Sequence, residues 1–313
     1  MDTHITPLLA AASACALLSG CAASVASTGA AAAPAPEVAA RPAGPLAPAE
    51  ALPGIALDAL TPEQREVVAR FAQQEFCPCG CPHTISQCLR EHRGCRHAAR
   101  AARLAAKLAA AGVAEGALQN VVVDYYASFD RRATLDAAGF GPPRGDPAAP
   151  VTLVEFSDFT CPFCQLFRPV LERFVDEHPG RVKLYYKPFP IAGHPHSAEA
   201  AEAAEWARAR GLFWPMHDAL FGRPHQLSPD ELVSYARELG GDGDDLRAAL
   251  NEGRYRARVE GAMAEARAAG LRGTPTLYFD GRRYVLPDHS PELLEFTLED
   301  EEEWLKHRAW ERD

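Results

Sequence analysis

The chain has 313 residues, a length that suggests about two domains, and its composition is that of an ordinary globular protein apart from abundant alanine and 26 prolines. Its formal net charge of −10 argues against a nucleic-acid partner. Nine cysteines fall into three groups: Cys15 and Cys21 in an apolar leader, Cys77, Cys79, Cys81, Cys88 and Cys95 in a cluster, and Cys161 with Cys164 in a CxxC. Such clusters suit an oxidising compartment if they pair, or a metal if they do not.

Residues 5–18 are apolar, rich in small side chains, and too short and Ala-rich for a membrane-spanning helix. They fit the core of a signal peptide over residues 1–21. The run ends in Leu18-Ser19-Gly20-Cys21, which resembles the lipobox of bacterial lipoproteins and implies a lipidated Cys21 as the mature N-terminus. No Lys or Arg precedes Arg41, which departs from the usual positive start; a disordered Ala-rich leader is the alternative. Ala22 carries no acidic group, which under the same resemblance favours the outer membrane. Residues 22–56 are mostly Ala, Pro, Gly and Ser and read as a linker.

Residues 57–140 read as a small helical domain. Thr61-Pro62-Glu63-Gln64 supplies an N-cap, a proline at the first helical position and a capping-box glutamine. The stretch from Cys77 through Cys79 to Cys81 cannot stay helical because of Pro78, Gly80 and Pro82. An Ala-dominated helix follows, then one with Leu118, Val121, Val122, Tyr125 and Phe129 on one face. The five cysteines suit either zinc held by four thiolates, or two disulfides with one thiol left over. Disulfide exchange between this cluster and Cys161 is a sharper expectation. The CxC near a helix end, the small-residue helix and the pair Tyr125-Tyr126 resemble the helical domain of the cytochrome c maturation protein CcmH. That resemblance implies a reductase serving apocytochromes.

Residues 139–150 are rich in Gly and Pro and mark a boundary, so the second domain is taken as 146–313. The β-branched run 151–156 reads as a buried strand that ends at Cys161-Pro162-Phe163-Cys164. Leu166, Phe167, Val170, Leu171 and Phe174 then recur at helical spacing. Val182, Leu184 and Tyr186 alternate with Lys183, Tyr185 and Lys187, as in a strand with one buried face. Some 80 residues of helical pattern follow, with Trp206, Phe213, Trp214, Leu220 and Phe221 as core. A strand from Thr276, a turn at Asp280-Gly281, a return strand over 283–286 and a final helix complete the chain. The acidic run 299–303 reads as a solvated face.

Strand, turn, two cysteines and helix place Cys161 at a helix N-terminus, where unpaired N–H groups and the helix dipole favour a thiolate. Cys164 lies one turn on, within reach to resolve a mixed disulfide. A zinc half-site is the alternative for any CxxC, but no second pair lies at ribbon spacing, so no metal is expected at the redox site. An acid inside an apolar strand, Glu155, is costly without a role, and the even offset to Cys161 keeps it on the side of the cysteine turn. His194 and His196 are read as solvated rather than as ligands.

The segments FSDFTCPFC, GHPHSAEAAEAAEWA, FWPMHDALF and GTPTLYFDG occur in an order that resembles the DsbA-like branch of the thioredoxin superfamily. The resemblance implies a thioredoxin-like α/β fold with an inserted helical subdomain, here preceded by the all-α cysteine-rich domain. It implies Cys161 as nucleophile, Cys164 as its partner, Glu155 as a buried acid moving the proton of Cys164, and a cis Pro275 that lets Thr274 bind extended substrate beside Pro162 and Phe163. No diffusible cofactor is required, and the partners are cysteine-containing exported proteins and a membrane or periplasmic redox protein. The strongly oxidising relatives carry His where this chain has Phe163, so a less oxidising disulfide is expected. The chain is thus read as a lipid-anchored thiol–disulfide oxidoreductase on the periplasmic side of a bacterial membrane. A metal- or protein-binding lipoprotein using the fold as a scaffold is the alternative.

Overall fold

The computed structural model describes residues 46–92 and 94–307; Cys15, Cys21 and most of the expected linker lie outside them. The described residues open with a helical part: α1 (Pro48–Ala51), α2 (Pro62–Gln74), α3 (Ile85–Glu91), α4 (Arg96–Ala110) and α5 (Glu115–Ala127). A mixed sheet follows, built from β1 (Arg144–Gly145), β2 (Val151–Ser157), β3 (Val182–Pro188), β4 (Thr276–Phe279) and β5 (Arg282–Arg283). The order across the sheet is β1-β3-β2-β4-β5. α6 (Pro162–Glu177) joins β2 to its parallel neighbour β3, and β4 closes antiparallel on the other side of β2. Between β3 and β4 lie α7 (Ser197–Arg208), α8 (Phe213–Gly222), α9 (Pro229–Glu238), α10 (Gly243–Glu252) and α11 (Arg256–Ala268); α12 (Pro291–His307) ends the described chain. This is the thioredoxin-like α/β arrangement with a helical insertion.

Local chemistry accounts for the element boundaries. Thr61 caps α2 with the reciprocal Gln64 contact, Thr84 caps α3 with Gln87, and Ser228 caps α9 with Glu231. At the β4–β5 turn both Asp280 (φ 46°) and Gly281 (φ 82°) are left-handed, as a tight hairpin of the sheet's twist requires. The return strand is Arg282–Arg283 rather than 283–286, with the Tyr284 N–H still donating to the Leu277 carbonyl oxygen of β4 at 2.8 Å.

The faces of β2 explain the layers. Leu153 packs with Phe167, Leu171 and Leu294 in the layer of α6 and α12. Val154 and Phe156 point the other way, to Tyr278, Ala266 and Leu271. That second layer corrects the one-sided reading of β3: Lys187 is 1% exposed, with its ammonium on Glu265, 2.8 Å from the Asp136 carbonyl oxygen and 4.2 Å from the Phe140 ring centre.

Two further expectations are corrected. Residues 46–56 are not all linker: Ala51, Leu52 and Ile55 are buried, and the Leu46 N–H donates to Gln73 Oε1 at 2.7 Å. The described residues 46–307 all fall in one compact unit. The same apolar core contains Phe71, Leu104 and Tyr125 of the helical part and Leu153, Phe174 and Phe296 of the sheet part. The acidic run is not all solvated either: Asp300 and Glu301 are 2% and 0% exposed. Arg100 and Tyr125 bind Asp300, while Arg282 and Arg132 bind Glu301. The α12 helix is therefore clamped against α4, α5 and the sheet edge by buried charge.

Candidate active site

The apolar run of β2 buries itself at the centre of the sheet, and its end delivers the chain to Cys161. Cys161 is the N-cap of α6 with extended backbone (φ −72°, ψ 122°), and Pro162 occupies the first helical position. The fixed φ and missing N–H of proline suit that place and start a 16-residue helix at the cysteine. As N-cap, Cys161 stands at the positive end of the helix, where the first N–H groups have no intrahelical partner; its sulfur makes no cap hydrogen bond. Cys161 is 4% exposed and Cys164, one turn in, is 0% exposed; both are free thiols. Phe163 and Leu166 stand on the outer side of this turn, 69% and 72% exposed.

Facing the cysteines is the segment before β4. The Thr274–Pro275 peptide is cis, and the Cys161 thiol donates to the Thr274 carbonyl oxygen at 3.5 Å. Thr274 and Pro275 are thus brought to Cys161 although 113 residues separate Thr274 from Cys161 in sequence.

Glu155 is 3% exposed, paired in register with Tyr186 of β3 and Leu277 of β4. Its strand β2 lies between β3 and β4, so the carboxyl does not face water from a sheet edge. Period two puts it on the same face as Leu153, which is the face α6 covers. Burial pushes the carboxyl up to about 7; the nearby Glu172 charge adds to this, and Ser157 and Arg168 oppose it. Its Oε1 is buried without a hydrogen-bond partner. Burial also pushes the Cys164 thiol up, and the Glu155 charge pushes it further.

The sequence reading passed over Asp158. Its carboxylate is fully buried and accepts from the Thr160 N–H (2.9 Å), the Thr160 hydroxyl (2.8 Å), the Ile191 N–H (3.0 Å), the Ser197 hydroxyl (2.8 Å) and His194 Nδ1 (2.7 Å). It ties the turn before Cys161 to the loop before α7. The signal available was an acid directly between a buried strand and the CxxC. His194 is therefore a partner of Asp158 rather than solvated, and His196, left-handed at φ 56°, stands at the start of α7.

The second cysteine group lies elsewhere in the fold. The sulfurs of Cys77, Cys79, Cys81 and Cys88 all fall within 4.8 Å of one another, and Cys95 Sγ is 3.7 Å from Cys77 Sγ.

With this geometry in place, the comparisons are specific. Residues 152–299 match the family model described as DSBA-like thioredoxin domain. The Na(+)/H(+) antiporter NhaA 3 of Salinispora tropica is 36% identical over 153 residues, covering 49% of this chain and 23% of that protein. NhaA of Herminiimonas arsenicoxydans is 38% identical over 144 residues, covering 45% and 22%. The chain thus spans less than a quarter of the length of these curated relatives. Among solved structures, oxidised BdbD from Bacillus subtilis is 24% identical, covering 54% of this chain and 96% of that one, with a TM-score of 0.48. A thioredoxin-like oxidoreductase from Silicibacter pomeroyi is 29% identical, covering 51% and 92%, with a TM-score of 0.46.

Proposed function

Residues 152–299 are a DsbA-like thioredoxin domain, a thiol–disulfide oxidoreductase domain, and from that premise we propose that Cys161 and Cys164 exchange disulfides with protein substrates. The observation that carries this reading is the convergence of three elements: Cys161 at the α6 N-terminus, the Thr274 carbonyl beside it, and the buried Glu155 on the α6 face of β2.

The Cys161 thiolate attacks one sulfur of a substrate disulfide, a mixed disulfide forms, and the other substrate sulfur leaves as a thiolate that takes a proton from water. Cys164 then gives its proton to Glu155 and attacks Cys161 Sγ. The substrate's second thiolate departs, and a Cys161–Cys164 disulfide remains. Two electrons pass from the cysteine pair to the substrate; the same steps in reverse oxidise a substrate dithiol. The pair is itself the redox group, so no diffusible cofactor enters. Pro162 and Phe163 border the entry, and the exposed Phe163 and Leu166 favour an unfolded, apolar peptide. The backbone of Thr274 binds such a peptide in extended form.

The leader and the lipobox-like Cys21 support export and a lipid anchor, with the outer membrane slightly favoured. Substrates are then exported proteins with cysteines, and a membrane or periplasmic redox protein resets the pair. Among the described residues no helix is long and apolar enough to cross a membrane. The test is trapping. With Cys164→Ser, attack proceeds and resolution stops, so mixed disulfides through Cys161 accumulate and are released by dithiothreitol. Cys161→Ser forms none. Equal trapping by both variants would contradict the assignment of nucleophile.

A further inference from the structure

We propose that Cys77, Cys79, Cys81 and Cys88 form a structural zinc site that staples the helical part of the chain, independent of the Cys161–Cys164 chemistry. The geometry comes first. Four sulfurs converge so that all lie within 4.8 Å of one another. In a tetrahedral site with Zn–S bonds of about 2.3 Å, neighbouring sulfurs stand about 3.8 Å apart, so the widest separations contract and the 3.1 Å Cys81–Cys88 approach opens slightly. Two disulfides would use the close pairs Cys81–Cys88 (3.1 Å) and Cys77–Cys95 (3.7 Å) and would leave Cys79 no reason to converge on Cys77, Cys81 and Cys88.

The backbone of this stretch closes on itself. The Cys77 N–H donates to the His83 carbonyl oxygen at 2.9 Å, the Gly80 N–H to that of Cys77 at 3.2 Å, and Phe76 bridges Thr84. The result is a closed knuckle with Gly80 left-handed (φ 77°) at its tip, which gathers Cys77, Cys79 and Cys81 on one loop. Thr84 ends the knuckle and caps α3, which places Cys88 one turn into that helix and across from the other three. Three ligands on a knuckle and one on the helix after it form a closed site with no open position.

The need for a staple is physical as well. The buried face of α4 is mostly alanine: Ala98, Ala101, Ala102, Ala105 and Ala109. Alanines bury little apolar area, so a metal at the α2–α3 connection adds stability to a helical part that otherwise relies on the core it shares with the sheet. Binding replaces four S–H protons by one Zn²⁺: four protons go to solvent and a centre of net charge −2 remains. Cys95 stays outside the four. Its sulfur lies 3.7 Å from Cys77, and the residue lines a cleft of about 880 Å³ between α3, α4 and α12.

The test uses the full chain, purified with reductant and dialysed against a weak chelator. Elemental analysis is expected to find about one zinc per chain. The Cys79→Ser variant should lose that zinc, while Cys95→Ser and the double variant Cys161→Ser/Cys164→Ser should keep it. If Cys79→Ser does not fold, Co²⁺ added to the chelator-stripped wild type supplies the second readout: intense visible bands of a tetrahedral tetrathiolate and a thiolate charge-transfer band. Retention of no metal, a metal lost with Cys161 and Cys164, or peptide mapping that finds the four cysteines in disulfides would each overturn the proposal.

Discussion

Glu155 is the residue whose behaviour is most sharply set by its position. In the folded chain it holds its proton to about pH 7, against 4.5 for an exposed glutamate, because it is buried on a central strand. Below pH 4.5 the folded and unfolded states both hold the proton. Between 4.5 and 7 the folded state binds more, so stability falls as pH rises through that window; above it the charged, buried carboxylate costs about 3 kcal/mol. Glu155→Gln is therefore predicted to raise stability at pH 8 by up to about 3 kcal/mol and to change it little at pH 4.5, measured by urea denaturation. In the proposed mechanism the same variant removes the proton acceptor for Cys164. Resolution of the mixed disulfide should slow by about 10²-fold, with the first attack by Cys161 nearly unchanged in stopped-flow kinetics. A destabilised Glu155→Gln at pH 8, or equal slowing of both steps, would contradict this role.

At the scale of elements, α12 holds the two parts of the molecule together through charge as well as apolar contact. Glu301 is 0% exposed, with Arg282 Nε at 2.9 Å, and the Arg282 guanidinium lies 3.9 Å from the Phe129 ring centre. Removing one member of a buried pair strands the other. Glu301→Leu is predicted to cost about 3–5 kcal/mol in urea denaturation, and the double variant Glu301→Leu/Arg282→Met much less than the sum of the two single changes. A loss under about 1 kcal/mol for Glu301→Leu would show the network to be dispensable. The N-caps act on a smaller scale: Thr61→Ala should cost about 1 kcal/mol, since it leaves the Gln64 N–H without the hydroxyl that accepts its hydrogen bond.

For the whole molecule, legibility followed distance along the chain. The strand, the CPFC turn and α6 are contiguous, so apolar period and turn chemistry were enough to place Cys161 at a helix start. Glu155 was legible for the same reason: an acid in an apolar run stands out within a few residues. The α12 clamp was not. Arg100 and Asp300 are 200 residues apart, and an acidic run looks alike whether water or arginine meets it. Residues 46–56 were likewise hidden, because a short Pro- and Ala-rich stretch shows no period even though Leu52 and Ile55 find a core. One consequence is testable: residues 46–307 should unfold in a single cooperative transition, and a fragment starting at residue 141 should melt well below it, having lost the Arg100 and Tyr125 partners of Asp300. Two separate transitions in the longer chain would argue for independent domains.

The most direct measurement is the reduction potential of the Cys161–Cys164 couple in the full chain, set by equilibration with glutathione. A reversible two-electron couple is expected, lost in Cys161→Ser and in Cys164→Ser. Its potential should lie below the roughly −120 mV of DsbA, because Phe163 supplies neither charge nor a hydrogen bond to the thiolate. A potential at or above that value would contradict the role given to Phe163, and the absence of any reducible couple would contradict the oxidoreductase reading itself.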